Sequence, residues 1–471
     1  MTTRMELHKL FEMQMRASRT LGTPSAELRA QNMRQLIEIT QKYSDAICEA
    51  AATDYAGNRS KRNAIQVDVL GAISPLRSAL GTFESWMEPT RCQPEEYFAQ
   101  GGAALSLQYR PRGVVGILGT WNFPFFTVFS PLADALAAGN RIIVKPSEIT
   151  PRSAELIAKI VEEACHPQDV ACVLGDAALA AEVCALPLGH LIFTGSTQTG
   201  KKVMAAAAQN LTPVTLELGG KCPTLIGADG LTPLHMDRLT YGKLMNSGQV
   251  CLAPDYALVS EQDIPAFIDG IKTSATKLFP DGPHDPDYGG IVNEHHFERL
   301  QSLLADAVGR GAEVVNIYGN DTPKQKMPLQ LVLNVTDDMR IMKEEIFGPI
   351  LPIKTISDFK EGLDYIAERP GALAAYLFSQ DSDEIEAFSA RVHAGGVNIN
   401  DVAAHPAHST VPFGGVGASG IGSMHGIFGF KENSHAMPIY KQAPEPIDAP
   451  FRPPWDDEFY AMMSSMVSGD G

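Results

Sequence analysis

From residue 113 onward the apolar residues fall in short runs, and between the runs their spacing stretches to the three-and-four pattern of a helix face. The runs at 113–118, 141–144, 170–174, 191–194 and 214–218 read as strands, and Pro151–Ala164 and 199–208 as the helices between them. Strands joined by helices of that length need right-handed crossovers into a parallel, doubly wound sheet, whose ligands bind beyond the carboxyl ends of the strands. A second alternating stretch, about 232–400, has helical spacing at 263–278 and 297–309 and strand signals near Ala257, Val314 and Ala374. It predicts a second α/β domain, with no low-complexity linker between the two.

The flanks read differently. Residues 1–19 mix Glu6 and Glu12 with basic residues and form an amphipathic helix, and 20–90 is helical by the spacing of Leu28, Met33, Leu36 and Ile37. Neither segment carries a chemical motif. The stretches 105–111 and 436–442 are strand-like, and the chain after Gln442 is rich in proline and acid, with Trp455 and Phe459 as expected anchors on the surface.

Composition narrows the function. With 471 residues, 44% hydrophobic and 20% charged, the chain is an ordinary globular one. A net charge of −17 disfavours nucleic acid or an anionic membrane as partner, which leaves small diffusible ligands. The longest apolar zone, 113–144, is broken by Asn122, Pro124, Pro131 and Asn140, short of the ~20 residues of a membrane helix. No span is expected, and the start lacks the apolar core of a secretory leader, so a cytoplasmic protein is expected. The seven cysteines form no C-x-x-C pair, and neither His405 with His408 nor Glu294-His295-His296 has a third ligand at usable spacing. No metal is expected, and these histidines read as surface or loop residues.

Several segments can carry chemistry. In Asn246-Ser247-Gly248-Gln249-Val250-Cys251 a thiol follows a small, polar turn, where a cysteine can be exposed and activated. Glu217, between Leu216 and Leu218 and before Gly219-Gly220, is a carboxylate in apolar surroundings, which move its pKa towards the range of a general base. Asn122, after the first strand of the wound sheet, can donate its amide to a developing oxyanion. Lys145 and Glu148 at a strand end offer a donor and an acceptor to ribose hydroxyls, and Gly195-Ser196 opens a helix where a phosphate can approach. Glu345 and Phe347 share one face of an extended segment, so one can hold a sugar while the other braces a flat ring. Taken singly, each has a plainer reading: a structural thiol, a solvent-facing edge carboxylate, a turn cap before Pro124, an ordinary strand-to-helix turn.

Together, in this order, these segments resemble the aldehyde dehydrogenase superfamily of NAD(P)-dependent enzymes, joined by Glu345-Ile346-Phe347-Gly348-Pro349 and Pro412-Phe413-Gly414-Gly415. The resemblance covers about 105–435. Tyr256, Gly414-Gly415-Val416-Gly417 and His425-Gly426 are most similar to the dimeric branch that includes fatty, aromatic and coniferyl aldehyde dehydrogenases, while Asn433 stands where that branch commonly has an aromatic residue.

The resemblance implies Cys251 as nucleophile, Glu217 as general base and Asn122 as oxyanion donor with the Cys251 backbone N–H. Lys145, Glu148 and Glu345 would hold the ribose groups, Gly195 and Ser196 the pyrophosphate, and Trp121, the Leu218 carbonyl and Phe347 the nicotinamide end. Phe123, Met245 and Val250 would line an apolar substrate tunnel. It also implies two doubly wound α/β domains plus a small β oligomerisation element. Residues 1–98 and 113–216 would form the cofactor-binding domain, 217–410 the catalytic domain, and 99–112 with 435–447 the oligomerisation strands. Residues 411–434 would return to the active site and 448–471 form the tail. The expected ligands are an aldehyde and NAD, with NADP an alternative, and the expected assembly a homodimer. Two other readings stay open on the sequence: a CoA-acylating dehydrogenase or acyl reductase, which does not need a water-activating base, and a non-catalytic binding protein that retains the fold.

Overall fold

The structure, a computed structural model, describes residues 1–444 and 451–468. Its first helix, Arg4–Thr20, opens with a reciprocal cap: Glu6 N–H donates to Thr3 Oγ1 at 3.2 Å and Thr3 N–H donates to Glu6 Oε2 at 2.7 Å. Leu7, Phe11, Gln14 and Ala17 share the face it buries, and Leu7 and Phe11 pack in the cluster that holds Val114, Leu118, Leu191 and Leu216.

The first sheet is six-stranded. Its order is Gly420–Ile421, Val214–Glu217, His190–Thr194, Val114–Leu118, Arg141–Lys145 and Val170–Cys172, parallel throughout except for the antiparallel edge pair at Gly420–Ile421. Val114–Leu118 and Arg141–Lys145 are buried at every position, as a sheet covered on both faces requires. The helix Phe126–Ala138 is buried along almost its whole length and ends on left-handed Gly139, φ 87°. The five parallel strands and the helices Pro151–Ala164 and Thr197–Ala208 follow the expected ones to within two residues, while the helix Phe126–Ala138 and the edge strand Gly420–Ile421 have no counterpart in the sequence pattern.

A seven-stranded second sheet runs Glu313–Asn316, Gln330–Leu333, Ile350–Ile356, Tyr256–Ser260, Pro223–Ile226, Ala374–Phe378 and Gly396–Ile399, again parallel but for the first pair. The carboxyl strand ends of the first sheet, at Thr194 and Glu217, and the amino strand ends of the second, at Pro223 and Tyr256, face one cavity, and the fold is the doubly wound α/β architecture read from the pattern.

The small third sheet orders Thr90–Cys92, Ala104–Pro111 and Ser434–Lys441, all antiparallel. It therefore begins inside the segment 1–98 that was assigned to the cofactor-binding domain. In the tail, Trp455 is no anchor: it is 61% exposed and stacks only on Phe459, 5.8 Å away. Phe451 makes the docking contact instead, edge-on to Tyr97 at 5.3 Å. Residues 445–450 and 469–471, parts of the segments 435–447 and 448–471, lie outside the described residues. Among the described residues no helix is long and apolar enough to cross a membrane, and no group of His, Cys, Asp and Glu could hold a metal.

Candidate active site

A cavity of about 1210 Å³ opens between the two large sheets. Trp121, Asn122, Phe123, Gly195, Ser196, Glu217, Leu218, Val250, Cys251, Glu345 and Phe347 all line it. The wound topology explains the convergence: Asn122 follows Val114–Leu118, Gly195 and Ser196 follow His190–Thr194, and Glu217 ends its own strand.

The cysteine loop is held in an unusual backbone state. Helix Pro233–Leu244 stops, and Asn246, Ser247 and Gly248 then take φ of 48°, 54° and 73°, the left-handed region that a side chain resists. The compensation is local. Gln249 Nε2 donates to the carbonyls of Asn246 at 2.8 Å and Gly290 at 2.9 Å, its Oε1 accepts from Val292 N–H at 3.0 Å, and Ser247 Oγ donates to the Gly289 carbonyl. A Cβ at Gly248 would collide with the Gly348 carbonyl, so this loop and the Phe347 loop lie in direct contact. Cys251 emerges partly buried, and burial together with the nearby Glu345 and Glu217 carboxyls pushes its thiol up to about 12.

Glu217 is 3% exposed, and neither carboxyl oxygen has a hydrogen-bond partner among the described residues. Burial, with Glu432 adding a like charge, raises its pKa well above the ordinary carboxylate range. Asn122 Nδ2 donates to the Gln249 carbonyl at 3.0 Å, and Asn122 Oδ1 is buried without a partner among the described residues.

The dinucleotide residues form two groups. Ser196 caps helix Thr197–Ala208, its Oγ accepting from Thr199 N–H at 3.3 Å, and the helix N-terminus faces the cavity with Gly195, as a pyrophosphate needs. Glu345 lies so close to Gly219 that a Cβ there would strike its carboxyl, and burial pushes its pKa up to about 7. Trp121 meets Phe347 edge-on at 5.2 Å, a flat apolar corner beside Cys251. Lys145 and Glu148, in contrast, pair with each other at the end of Arg141–Lys145 and do not line the cavity. This donor set, with a helix N-terminus, a ribose-length carboxylate and an aromatic corner in sequence, fits a nicotinamide dinucleotide.

Met245 departs from expectation: it lines a separate small cavity with Arg59, Asn63 and Phe279. Its φ and ψ of −55° and 123° leave the helix, so helical spacing no longer fixes its direction. His296 departs too, standing against Trp121 at 4.7 Å in the cavity wall, with burial and Arg299 lowering its pKa to about 4. His405 is half-buried, joins Asn398 Nδ2 through Nδ1 at 2.9 Å and packs on Phe413. At the far end the wall is Phe126, Phe413 and Met424. Apart from Phe413, which lay in a recognisable run, no sequence signal marks Phe126, Met424, His296 or Arg299.

Residues 1–437 match the aldehyde dehydrogenase family. The chain belongs to that family. This aldehyde dehydrogenase is 38% identical over 454 residues to a coniferyl aldehyde dehydrogenase of a Pseudomonas species, covering 95% of this chain and 93% of the relative. It is 34% identical over 419 residues to the 4,4'-diaponeurosporen-aldehyde dehydrogenase of Staphylococcus aureus, covering 88% and 89%. The substrate-bound state of Staphylococcus aureus AldH superposes with a TM-score of 0.91 at 32% identity, covering 99% of this chain and 100% of that one. The protein is thus an oxidoreductase that acts on aldehydes with NAD or NADP as electron acceptor, and the binding-protein reading falls away.

Proposed function

We propose that this aldehyde dehydrogenase oxidises aromatic or extended apolar aldehydes, of the coniferyl type, to carboxylic acids with NAD. The observation that carries the reading is the single cavity in which Cys251, Glu217 and Asn122 converge between a helix N-terminus and a wall of Phe123, Phe126, Phe413 and Met424. Such a wall stabilises a planar hydrophobic body by roughly 25 cal/mol per Å² buried. The relatives named for coniferyl aldehyde support the same class.

In this reading Cys251 Sγ loses its proton to solvent water and bonds to the aldehyde carbon, forming a thiohemiacetal whose oxyanion accepts from Asn122 Nδ2 and the Cys251 N–H. A bound NAD would supply the hydride acceptor, and loss of hydride from the thiohemiacetal carbon leaves a thioester on Cys251. Glu217 then takes a proton from water, the hydroxide adds to the thioester carbon, and the C–S bond breaks to release acid and thiol. Glu217, without a hydrogen-bond partner among the described residues and next to Gly414, favours hydrolysis over transfer to CoA.

Gly195 and Ser196 would hold the pyrophosphate, Glu345 the nicotinamide ribose, and Trp121, Phe347 and the Leu218 carbonyl the ring. Lys145 and Glu148 would meet the adenosine ribose once their mutual pair opens. The first sheet with its helices serves as cofactor-binding domain and the second as catalytic domain. The exposed edge Ser434–Lys441, with Tyr440 48% exposed, suits pairing with a second copy in a homodimer. A cytoplasmic location agrees with the absence of a membrane-spanning helix among the described residues.

The test is NADH formation with a panel of cinnamyl-type, benzyl, medium-chain and carboxylated aldehydes, with Cys251→Ala as control. Aromatic aldehydes with the highest kcat/KM, and no turnover by Cys251→Ala, are expected. Succinic semialdehyde as best substrate would overturn the apolar reading, and light scattering of the purified protein decides the dimer.

A further inference from the structure

The helices before residue 113 carry no motif, yet one of their turns reaches the site. The Arg59 guanidinium, in a residue 3% exposed, donates from Nη1 to the Asn122 backbone oxygen at 3.0 Å and pairs through Nη2 with Asp68 at 2.8 Å. Asp68 is fully buried in the π-helical turn Ile65–Val69. The guanidinium carbon lies 4.9 Å from the Tyr55 ring centre and 5.6 Å from that of Phe123. Tyr55 Oη at 3.3 Å and Asn246 Nδ2 at 3.2 Å donate to the same Asn122 oxygen.

One peptide oxygen thus gathers donors from an N-terminal helix, from the turn after it and from the cysteine loop. The same turn is bolted to the opposite wall. Asn58 carbonyl accepts from Gly290 N–H at 2.9 Å, Arg62 pairs with Asp287 at 2.5 Å, and the Gly290 carbonyl accepts from Gln249 Nε2 at 2.9 Å. Apolar side chains fill such a space at lower desolvation cost than an ion pair, so a pair kept here points to a demand for fixed geometry. Arg59 and Asp68 do not line the large cavity.

We propose that Arg59, braced by Asp68, is a positioning residue for the oxidation step: it fixes the Asn122 peptide, and with it the side-chain amide and the Phe123 wall, against the Cys251 loop. The proposal rests on the reading of Asn122 as oxyanion donor. A displaced donor costs transition-state stabilisation while leaving cofactor binding alone, since misplacement of about 1 Å can slow a reaction by orders of magnitude.

The test uses the full chain. Arg59→Met combined with Asp68→Leu removes the pair without stranding a buried charge, Arg59→Lys keeps a cation without the two-armed grip, and Asn122→Ala removes the donor. Single-turnover NADH formation at saturating NAD and aldehyde is followed beside NAD affinity and Tm. The pair-removed variant should form NADH about tenfold more slowly or worse, keep NAD affinity within about twofold, and, when combined with Asn122→Ala, be no slower than Asn122→Ala alone. Arg59→Lys should recover part of the rate. A folded pair-removed variant at the wild-type rate, or a loss that multiplies with that of Asn122→Ala, overturns the positioning role. Asn122→Ala at the wild-type rate overturns the donor reading and this one with it. Should the double substitution fail to fold, Asp68→Asn, which keeps the shape and removes the charge, is read by the same criteria.

Discussion

Asn122 donates its side-chain amide to the backbone carbonyl of Gln249 at 3.0 Å, so the proposed oxyanion donor and the loop of the proposed nucleophile are hydrogen-bonded to each other. An amide carries two N–H bonds, and the second remains to meet an aldehyde oxygen. The donor is preorganised by the strand it ends and by the loop it serves.

In the proposed mechanism Glu217 and Cys251 both act in their deprotonated forms, and burial holds both above their ordinary values. The reactive fraction therefore grows as pH rises, and kcat/KM should climb with pH from the acid side through neutrality. Glu217→Gln should give a burst of NADH followed by a stall, with acyl-enzyme detectable by mass spectrometry. A normal steady state without acyl-enzyme would remove Glu217 from the role.

Phe413 stacks on His425 at 5.2 Å with the rings 17° apart, and the same ring faces the cavity. Phe413→Ala should raise KM for aromatic aldehydes about tenfold and leave small aldehydes nearly unchanged, as truncation of a buried aromatic wall predicts. Equal losses across a substrate panel would place the recognition elsewhere.

Lys145 is 3% exposed at its side chain and Glu148 43%, so the acid is the half of their pair that reaches outward. A 2′-phosphate would meet that carboxylate. NAD should therefore be preferred, and Glu148→Ala should raise kcat/KM for NADP about tenfold or more while lowering that for NAD. An unchanged ratio would separate Glu148 from the adenosine ribose.

Asp134 is buried in the helix behind the site, accepts from His425 N–H at 3.0 Å and has its pKa pushed by burial from 3.8 to about 7. The folded pKa lies above the unfolded one, so the stability tied to the protonated form is present below about pH 4 and lost as pH rises through about 7. Asp134→Asn keeps an acceptor and cannot ionise. Its Tm should exceed the wild type's by more at pH 8 than at pH 5, with a ceiling of about 4 kcal/mol. A pH-independent difference would contradict this.

Legibility in the sequence followed the range of the forces involved. Glu217, Gly195-Ser196 and Asn122 sit at strand ends, so the alternation of strand and helix places them, and the Gly248-Gln249 turn marks Cys251. Arg59 and Asp68 were invisible because their partners are in space and not in sequence: Arg59 acts on Asn122 through a helix turn with no motif of its own. Met245 was misplaced for a different reason. The chain leaves the helix at that residue, with φ −55° and ψ 123°, and Met245 lines the small cavity with Arg59 and Phe279. His296 was taken for a loop residue because a histidine's environment is set by what packs on it, here the Trp121 ring.

The strand that ends in Glu217 is closed on its outer side by Gly420–Ile421, which lies about two hundred residues later in the chain. During synthesis the wound sheet can assemble while that edge stays open, and translation at roughly 5–20 residues per second leaves it bare for many seconds. The catalytic pocket is therefore among the last parts of the protein to come into being. A ribosome that stops short of residue 420 releases a chain with most of its core and an unpaired strand edge, so quality control of truncated products can act on the same edge that the finished enzyme conceals beneath Glu217.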